Sequence, residues 1–153
     1  MKMTILEYFS IPKEQRNLWC NQIALADWNA AVYLHKLLVN DSLQKEYGPD
    51  AKLYLLTQED ALQAFCLLTP KDEITDPTLY PWVGFVYTFP EYRGHRYSQI
   101  LIDHACNQAR AQGFRRIYLT SHELGLYEKY GFQFLETRTT VWNDMTRVLF
   151  REL

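Results

Sequence analysis

Cysteine is scarce in this chain: the three present, Cys20, Cys66 and Cys106, are odd in number and far apart. None belongs to a Cys-x-x-Cys pair, so spacing suggests neither a disulfide framework nor a zinc site, and all three read as buried thiols in a reducing cytosol. No metal is expected. Long hydrophobic runs are missing too. No apolar stretch approaches the ~20 residues that a membrane-spanning helix needs, so no membrane association is expected. Residues 1–12 carry acidic and aromatic side chains where a signal peptide needs a continuous apolar segment, which makes the expected location cytoplasmic. A basic excess is also absent. The net charge of −2 argues against a general nucleic-acid binder, for which only the pairs Arg93/Arg96 and Arg115/Arg116 speak. Any anion site must therefore be local. With no internal repeat, low-complexity segment or linker, residues 1–153 read as a single domain.

Aromatic residues, by contrast, are plentiful. Eleven Tyr, eight Phe and four Trp supply a dense core, and a chain of this length buries roughly two thirds of its unfolded surface. Residues 1–11 alternate loosely (Ile5, Tyr8, Phe9, Ile11) as an edge strand or a lead-in. Pro12 suits a helix start. From Lys13 to Val39 the period is helical. Leu18, Trp19, Ile23 and Ala26 mark one stripe; Trp28, Ala31, Val32, His35, Leu38 and Val39 mark a second. Asp27 is a candidate N-cap between two helices, with one bent helix as the alternative. His35, inside the second stripe, reads as a packed core histidine.

Asn40–Asp50 is a polar connection with Gly48-Pro49. Strands follow at Lys52–Thr57 and Leu62–Thr69, around the turn Gln58-Glu59-Asp60. Pro70–Pro77 is a charged loop holding Asp72, Glu73 and Asp76. Its acidity suits a cationic amine, although a solvated loop is the simpler reading. A long strand, Tyr80–Phe89, leads through a short turn into a helix, Ser98–Gln112, whose inward stripe is Leu101, Ile102, Ala105, Cys106 and Ala109. Gly113 stops it. Arg116–Thr120 reads as a buried strand. Thr120 and Glu123 have capping-box spacing for a short helix with Leu124, Tyr127 and Tyr130, ending at Gly131. Strands Phe132–Trp142 and Thr146–Glu152 close the chain as a hairpin at Asn143-Asp144.

The stretch Thr88–Ser98 carries the first chemical signal. A strand feeding directly into a helix leaves that helix's first amides unpaired and aimed beyond the strand's end. The positive end of the helix dipole, with Arg93, His95 and Arg96, favours a phosphate or pyrophosphate there. On these residues alone, an ordinary surface loop with solvated arginines is an equal alternative.

The order of elements, with two motifs, resembles the GNAT family of acyl-CoA-dependent N-acetyltransferases. Pro90-Glu91-Tyr92-Arg93-Gly94-His95-Arg96-Tyr97-Ser98 is similar to that family's pyrophosphate turn, Arg/Gln-x-x-Gly-x-Gly/Ala, and Leu126-Tyr127-Glu128-Lys129-Tyr130-Gly131-Phe132 is similar to its Tyr-x-x-x-Gly-Phe signature. The likeness is strongest over residues 80–132. It implies an α+β fold, a mixed and mostly antiparallel sheet of six to seven strands flanked by about four helices. It also implies acetyl-CoA as co-substrate and a primary amine acceptor, on a small molecule or on a protein N-terminus or lysine. Val86, Tyr87 and Thr88 would pair with the pantetheine arm, and one of their amides would face the thioester oxygen. The amides of Gly94, His95, Arg96, Tyr97 and Ser98, with Arg93, would hold the pyrophosphate. Tyr127 matches the family's general acid: a phenol of pKa ~10 can pass a proton to a thiolate near 8.5. Arg96 and Ser98 stand where the family has glycine or alanine, so Arg96 either adds a phosphate contact or blocks the turn. No residue matches the family's base. His122 is a candidate by its ordinary pKa, and Glu73 or a water chain is another. A non-catalytic CoA-binding module of the same fold is the alternative reading, and a homodimer is left open.

Overall fold

The computed structural model describes residues 2–153. Its frame is one seven-stranded sheet built from β1 (Met3–Glu7), β2 (Lys52–Gln58), β3 (Ala61–Thr69), β4 (Trp82–Thr88), β5 (Arg116–Ser121), β6 (Gln133–Thr139) and β7 (Met145–Glu152). The strand order is β1-β2-β3-β4-β5-β7-β6, and every neighbouring pair is antiparallel except β4 with β5. Four α-helices flank it: α1 (Asn17–Ile23), α2 (Asn29–Val39), α3 (Leu43–Tyr47) and α4 (Tyr97–Ala111). This is the mixed, mostly antiparallel α+β architecture expected. No helix among the described residues is long and apolar enough to cross a membrane.

The central strands are covered on both faces, which is why they read as nearly continuous apolar runs. Leu53, Leu55, Phe65 and Leu67 pack with Trp19, Ile23 and Leu34 of α1 and α2. Their alternates, Tyr54, Leu56, Ala64, Cys66 and Leu68, pack with Leu101, Ile102, Ala105, Cys106 and Ala109 of α4. All three cysteines are free and buried.

One local irregularity shapes the site. At Phe85 the backbone turns to φ 51, and the β3 partners jump from Leu67↔Gly84 to Phe65↔Tyr87. One extra residue has entered β4, a β-bulge that reverses the in-out alternation. Val83 before it and Val86 after it consequently pack on the same, α4 side of the sheet. A positive φ at an aromatic residue costs about 1–3 kcal/mol and persists only where packing enforces it. Here the Phe85 ring is held edge-on by Trp28 at 6.4 Å and Tyr47 at 5.8 Å.

Next to the bulge the sheet opens. β4 and β5 are paired at a single position, Trp82↔Tyr118, after which the strands diverge. The buried residues Ile74, Trp82, Tyr118 and Val148 form a small third core that closes the narrow end of the wedge. Ile74 is only 2 % exposed; it nails down the loop before β4 and sets Asp72 and Glu73 inside the opening.

Several local expectations fail, each to a tertiary contact. In α2 the buried face is Ala31, Leu34 and Leu37, while Val32 and Val39 are exposed and His35 is half-buried. That helix is apolar on most of its circumference, so period alone could not choose the face. Asp27 does not cap it. The cap position belongs to Trp28, in extended conformation and without a side-chain bond. The polar connection at 40–50 contains α3, anchored by the buried Leu43. The Thr120/Glu123 capping box does not form: β5 continues to Ser121, and the Thr120 hydroxyl donates to Glu73 Oε1 at 2.6 Å instead. The helical turn that follows is a 3₁₀ turn at Tyr127–Tyr130.

Candidate active site

The wedge between β4 and β5 continues into a cleft of about 1300 Å³, larger than a pocket for one small ligand, typically ~300–1000 Å³. Its two ends differ in chemistry. Arg93, Arg96 and Lys129 line one end; Asp72 and Glu73 line the other.

At the basic end, the amides of Gly94 through Ser98 have no main-chain acceptor, because Tyr97 and Ser98 open α4 and the turn before them makes no backbone bond of its own. Gly94 adopts φ +90 with nothing within 4 Å of a would-be Cβ, so the main chain there is bare. Arg96, in the position where a glycine was expected, takes the left-handed conformation itself, φ 59 and ψ 35. Its side chain is exposed and without a hydrogen-bond partner among the described residues, so the turn is not plugged by its own guanidinium. Arg93 is less free than expected. Its Nε donates to the Thr88 carbonyl at 2.9 Å and its guanidinium lies 5.5 Å from the Tyr87 ring centre, bracing the end of β4. His95 stacks on Tyr97 at 5.4 Å outside the cleft lining, leaving only its amide for a ligand. The Ser98 hydroxyl pairs with Tyr130 Oη at 3.0 Å. Lys129, a third cation on the lining, escaped the sequence reading because it looked like a spacer inside the second motif. Among the strand residues, Val86, Tyr87 and Thr88 all line the cleft. Tyr87 turns its ring into the α1–α2 core, where it stacks on Trp28 at 5.6 Å.

Tyr127 stands between the two ends. Its position is set by Gly131, which closes the turn at φ +89, where a Cβ-bearing residue is strained. The Phe132 amide then reaches back to the Tyr127 carbonyl at 3.1 Å. Phe132 is buried and locks the turn onto the α4 core. The Tyr127 hydroxyl has no side-chain partner among the described residues, and its ring lines the cleft. Burial, then the neighbouring Glu123, push its pKa well above the ordinary phenol value. That sets it apart from the ordinary phenol near 10 from which its acid role was argued. A phenol so raised stays protonated and can donate a hydrogen bond, whereas full transfer of its proton to a weaker base is uphill.

At the acidic end, the carboxyl side chains of the charged loop are half-buried rather than fully solvated. Asp72 retains some contact with solvent, yet its carboxyl is hemmed in by protein, and a Cβ at Gly84 would stand 3.1 Å from Asp72 Oδ1. Burial, followed by the nearby Glu73 charge, raises Asp72 from an ordinary 3.8 to about 7. Two effects that disfavour a carboxylate thus bring it to the range useful for a base at neutral pH. Glu73 is oriented by Thr120, and its main-chain carbonyl accepts from the Val141 amide at 2.8 Å, which ties the β6–β7 hairpin to the loop. Asp76 accepts from the Thr78 hydroxyl and pairs with Arg138 at 3.2 Å, which holds its carboxyl below the usual carboxylate range. His122 lines the same cleft but is exposed, and no hydrogen bond among the described residues orients its ring. Asp72 is the more enclosed of the two. The sequence showed its acidity but not its enclosure.

The acetyltransferase (GNAT) family model matches residues 15–132. No curated protein is significantly similar in sequence. Among solved structures, an acetyltransferase from Streptococcus agalactiae 2603 superposes with a TM-score of 0.68 at 19 % identity, covering 99 % of this chain and 98 % of that one. A GNAT family acetyltransferase from Elizabethkingia anophelis with acetyl-CoA bound gives 0.65 at 15 % identity, over 99 % and 98 % of the two chains. An aminoglycoside 6'-N-acetyltransferase complexed with coenzyme A gives 0.68 at 11 % identity, over 97 % and 96 %. At such identities these likenesses concern the fold. The family model spans most of the chain and takes in both the turn into α4 and the Tyr127–Gly131 motif, and by that measure the protein belongs to the GNAT acetyltransferases and is an acyltransferase.

Proposed function

We propose that this protein transfers an acetyl group from acetyl-CoA to the primary amine of a small molecule. The observation that carries this reading is the arrangement of the wedge: unpaired amides at Gly94–Ser98 on one side, an enclosed carboxyl at Asp72 on the other, and Tyr127 between them. The donor set fits the cofactor. Bare main-chain amides at a helix start, with Arg96 and Lys129 beside them, suit a pyrophosphate, and the free edge of β4 at Val86–Thr88 suits an amide-containing arm. The relative from Elizabethkingia anophelis holds acetyl-CoA, and the aminoglycoside enzyme holds coenzyme A.

Acetyl-CoA supplies an activated acyl group: the amine nitrogen bonds to the acyl carbon as the carbon–sulfur bond breaks. Of the two protons the ammonium loses, one goes to Asp72 and on to solvent, and the other completes the CoA thiol. Asp72 receives the ammonium and removes its proton. Tyr127 donates a hydrogen bond toward the leaving sulfur and steadies its developing charge. A main-chain amide of β4 serves the carbonyl oxygen.

Two measurements test this. Acetyl-CoA at 100 times its Kd should stabilise the protein by about 2.7 kcal/mol, seen as a rise in Tm. Offered an amine panel, the protein should then release free thiol. Stabilisation without thiol release for any amine would make it a binding module instead.

Arg96 gives an expectation in which stability and binding move in opposite directions. Arg96→Gly relieves a left-handed non-glycine residue, so the fold should gain about 1 kcal/mol, a Tm rise of roughly 2–4 °C. Loss of a charge-assisted phosphate contact should weaken CoA binding about tenfold in titration calorimetry. Unchanged affinity would mean that Arg96 faces solvent in the complex as well.

A further inference from the structure

The acid end of the cleft has a wall that acetyl transfer as such does not require. Trp28 and Tyr33 of the α2 region, Tyr47 of α3, Phe85 of the β4 bulge and Trp142 of the β6–β7 turn all line it. Trp28, Tyr47 and Phe85 are partly buried against the α1–α2 core and form a fixed inner surface. Tyr33 and Trp142 meet edge to face at its rim, ring centres 6.5 Å apart and nearly perpendicular.

Trp142 is 66 % exposed, an unusual position for a large ring unless something covers it. Nor is it on a loose tip. The Trp142 amide donates to Thr140 Oγ1 at 3.1 Å, the Thr140 and Asn143 amides close the turn at 2.7 and 3.0 Å, and Val141 ties the turn to Glu73. The hydrogen bond from the Val141 amide to the Glu73 carbonyl therefore ties the turn that carries Trp142 to the loop that carries the two acids. An exposed aromatic ring on a fastened turn, beside carboxyls in a cleft, is a surface suited to a ligand that is both apolar and cationic.

Charge narrows the ligand further. The basic groups Arg93, Arg96 and Lys129 lie at the cofactor end, so the acid end presents Asp72 and Glu73 to whatever approaches past Trp142. Asp72 has no side-chain donor among the described residues, only the main chain of Glu73 beside it, so its carboxyl can still accept from an incoming ammonium. A cation is favoured over the faces of Trp and Tyr rings as well as by the carboxylates. A flat apolar body is favoured by stacked or edge-on contact. We propose that the acceptor is a primary amine carried on an aromatic body, its ammonium received by Asp72 and Glu73 and its ring by Trp28, Tyr33, Phe85 and Trp142. This rests on the acetyl-transfer reading above and adds the class of amine.

The test compares 2-phenylethylamine, ethanolamine, spermidine and an aminoglycoside as acceptors, by thiol release and by tryptophan fluorescence in the presence of CoA. Trp19 and Trp82 are buried, so a change on titration reports mainly Trp28 and Trp142. The aromatic amine should exceed ethanolamine in kcat/KM by at least about thirtyfold and should change the fluorescence saturably. Trp142→Ala, an exposed substitution, should raise its KM about tenfold with a smaller change in kcat. A flat panel, or preference for spermidine or the aminoglycoside, would overturn the aromatic assignment while leaving acetyl transfer intact. Thiol release from no amine, with saturable fluorescence change for the aromatic amine alone, would do the reverse. Neither signal would overturn both.

Discussion

Asp72→Asn is expected to lower kcat/KM for an amine by about 100-fold or more, the usual contribution of a positioned proton acceptor, while leaving CoA affinity within about twofold. Asparagine keeps the size and the acceptor oxygen but cannot take the proton. The pH dependence should change with it. Asp72 titrates near 7, so the wild-type rate should climb through neutral pH as the carboxyl ionises, and that acid limb should flatten in the variant. His122→Gln is the companion measurement. If it removes the limb and Asp72→Asn does not, the histidine is the base.

The same substitution should stabilise the fold, with a sign that follows from the shift. A carboxyl held above its unfolded value favours folding only in its protonated form, so its contribution is present below about pH 4 and is lost as pH rises through about 7. A shift from 3.8 to about 7 sets a ceiling of about 4 kcal/mol, which water reaching the cleft reduces to about 2 kcal/mol. Asp72→Asn should therefore melt about 4–8 °C higher than wild type at pH 8 and alike at pH 4. Lower activity with higher stability is the mark of a group kept for function. Lower activity with lower stability would make Asp72 a structural residue.

Tyr127→Phe is the second large effect. It should reduce kcat by about 10–100-fold through loss of the hydrogen bond to sulfur, with CoA affinity nearly unchanged. Because the hydroxyl has no side-chain partner among the described residues, stability should stay within about 0.5 kcal/mol. Stopped-flow thiol release separates this from a slower product step. Equal turnover would remove Tyr127 from the mechanism, and a large fall in Tm would recast it as a packing residue.

Where the sequence was legible, the signal was short-range. The helix after the turn, its inward stripe and the meaning of Gly131 each depend on residues within one turn or one strand. They could be read because helical period and the demand for a positive φ are properties of the local chain. The turn into α4 was legible as a set of amides for the same reason. The misreadings share an opposite cause. Thr120 left its capping box because Glu73, remote in sequence, offers its hydroxyl a carboxylate. Arg93 was taken up by the carbonyl of Thr88. The α2 face was chosen by which neighbours came to cover it.

By itself, then, the order of residues determined the succession of strands and helices apart from α3, the bare amides before α4 and the glycine that closes the Tyr127 turn. Folding decided the rest. β4 takes in an extra residue at Phe85 and parts from β5 beyond Trp82, and the gap receives Asp72 against Gly84. A carboxyl becomes a neutral-pH base only when water is excluded and another charge stands near, and neither condition can be met until segments remote along the chain are brought together.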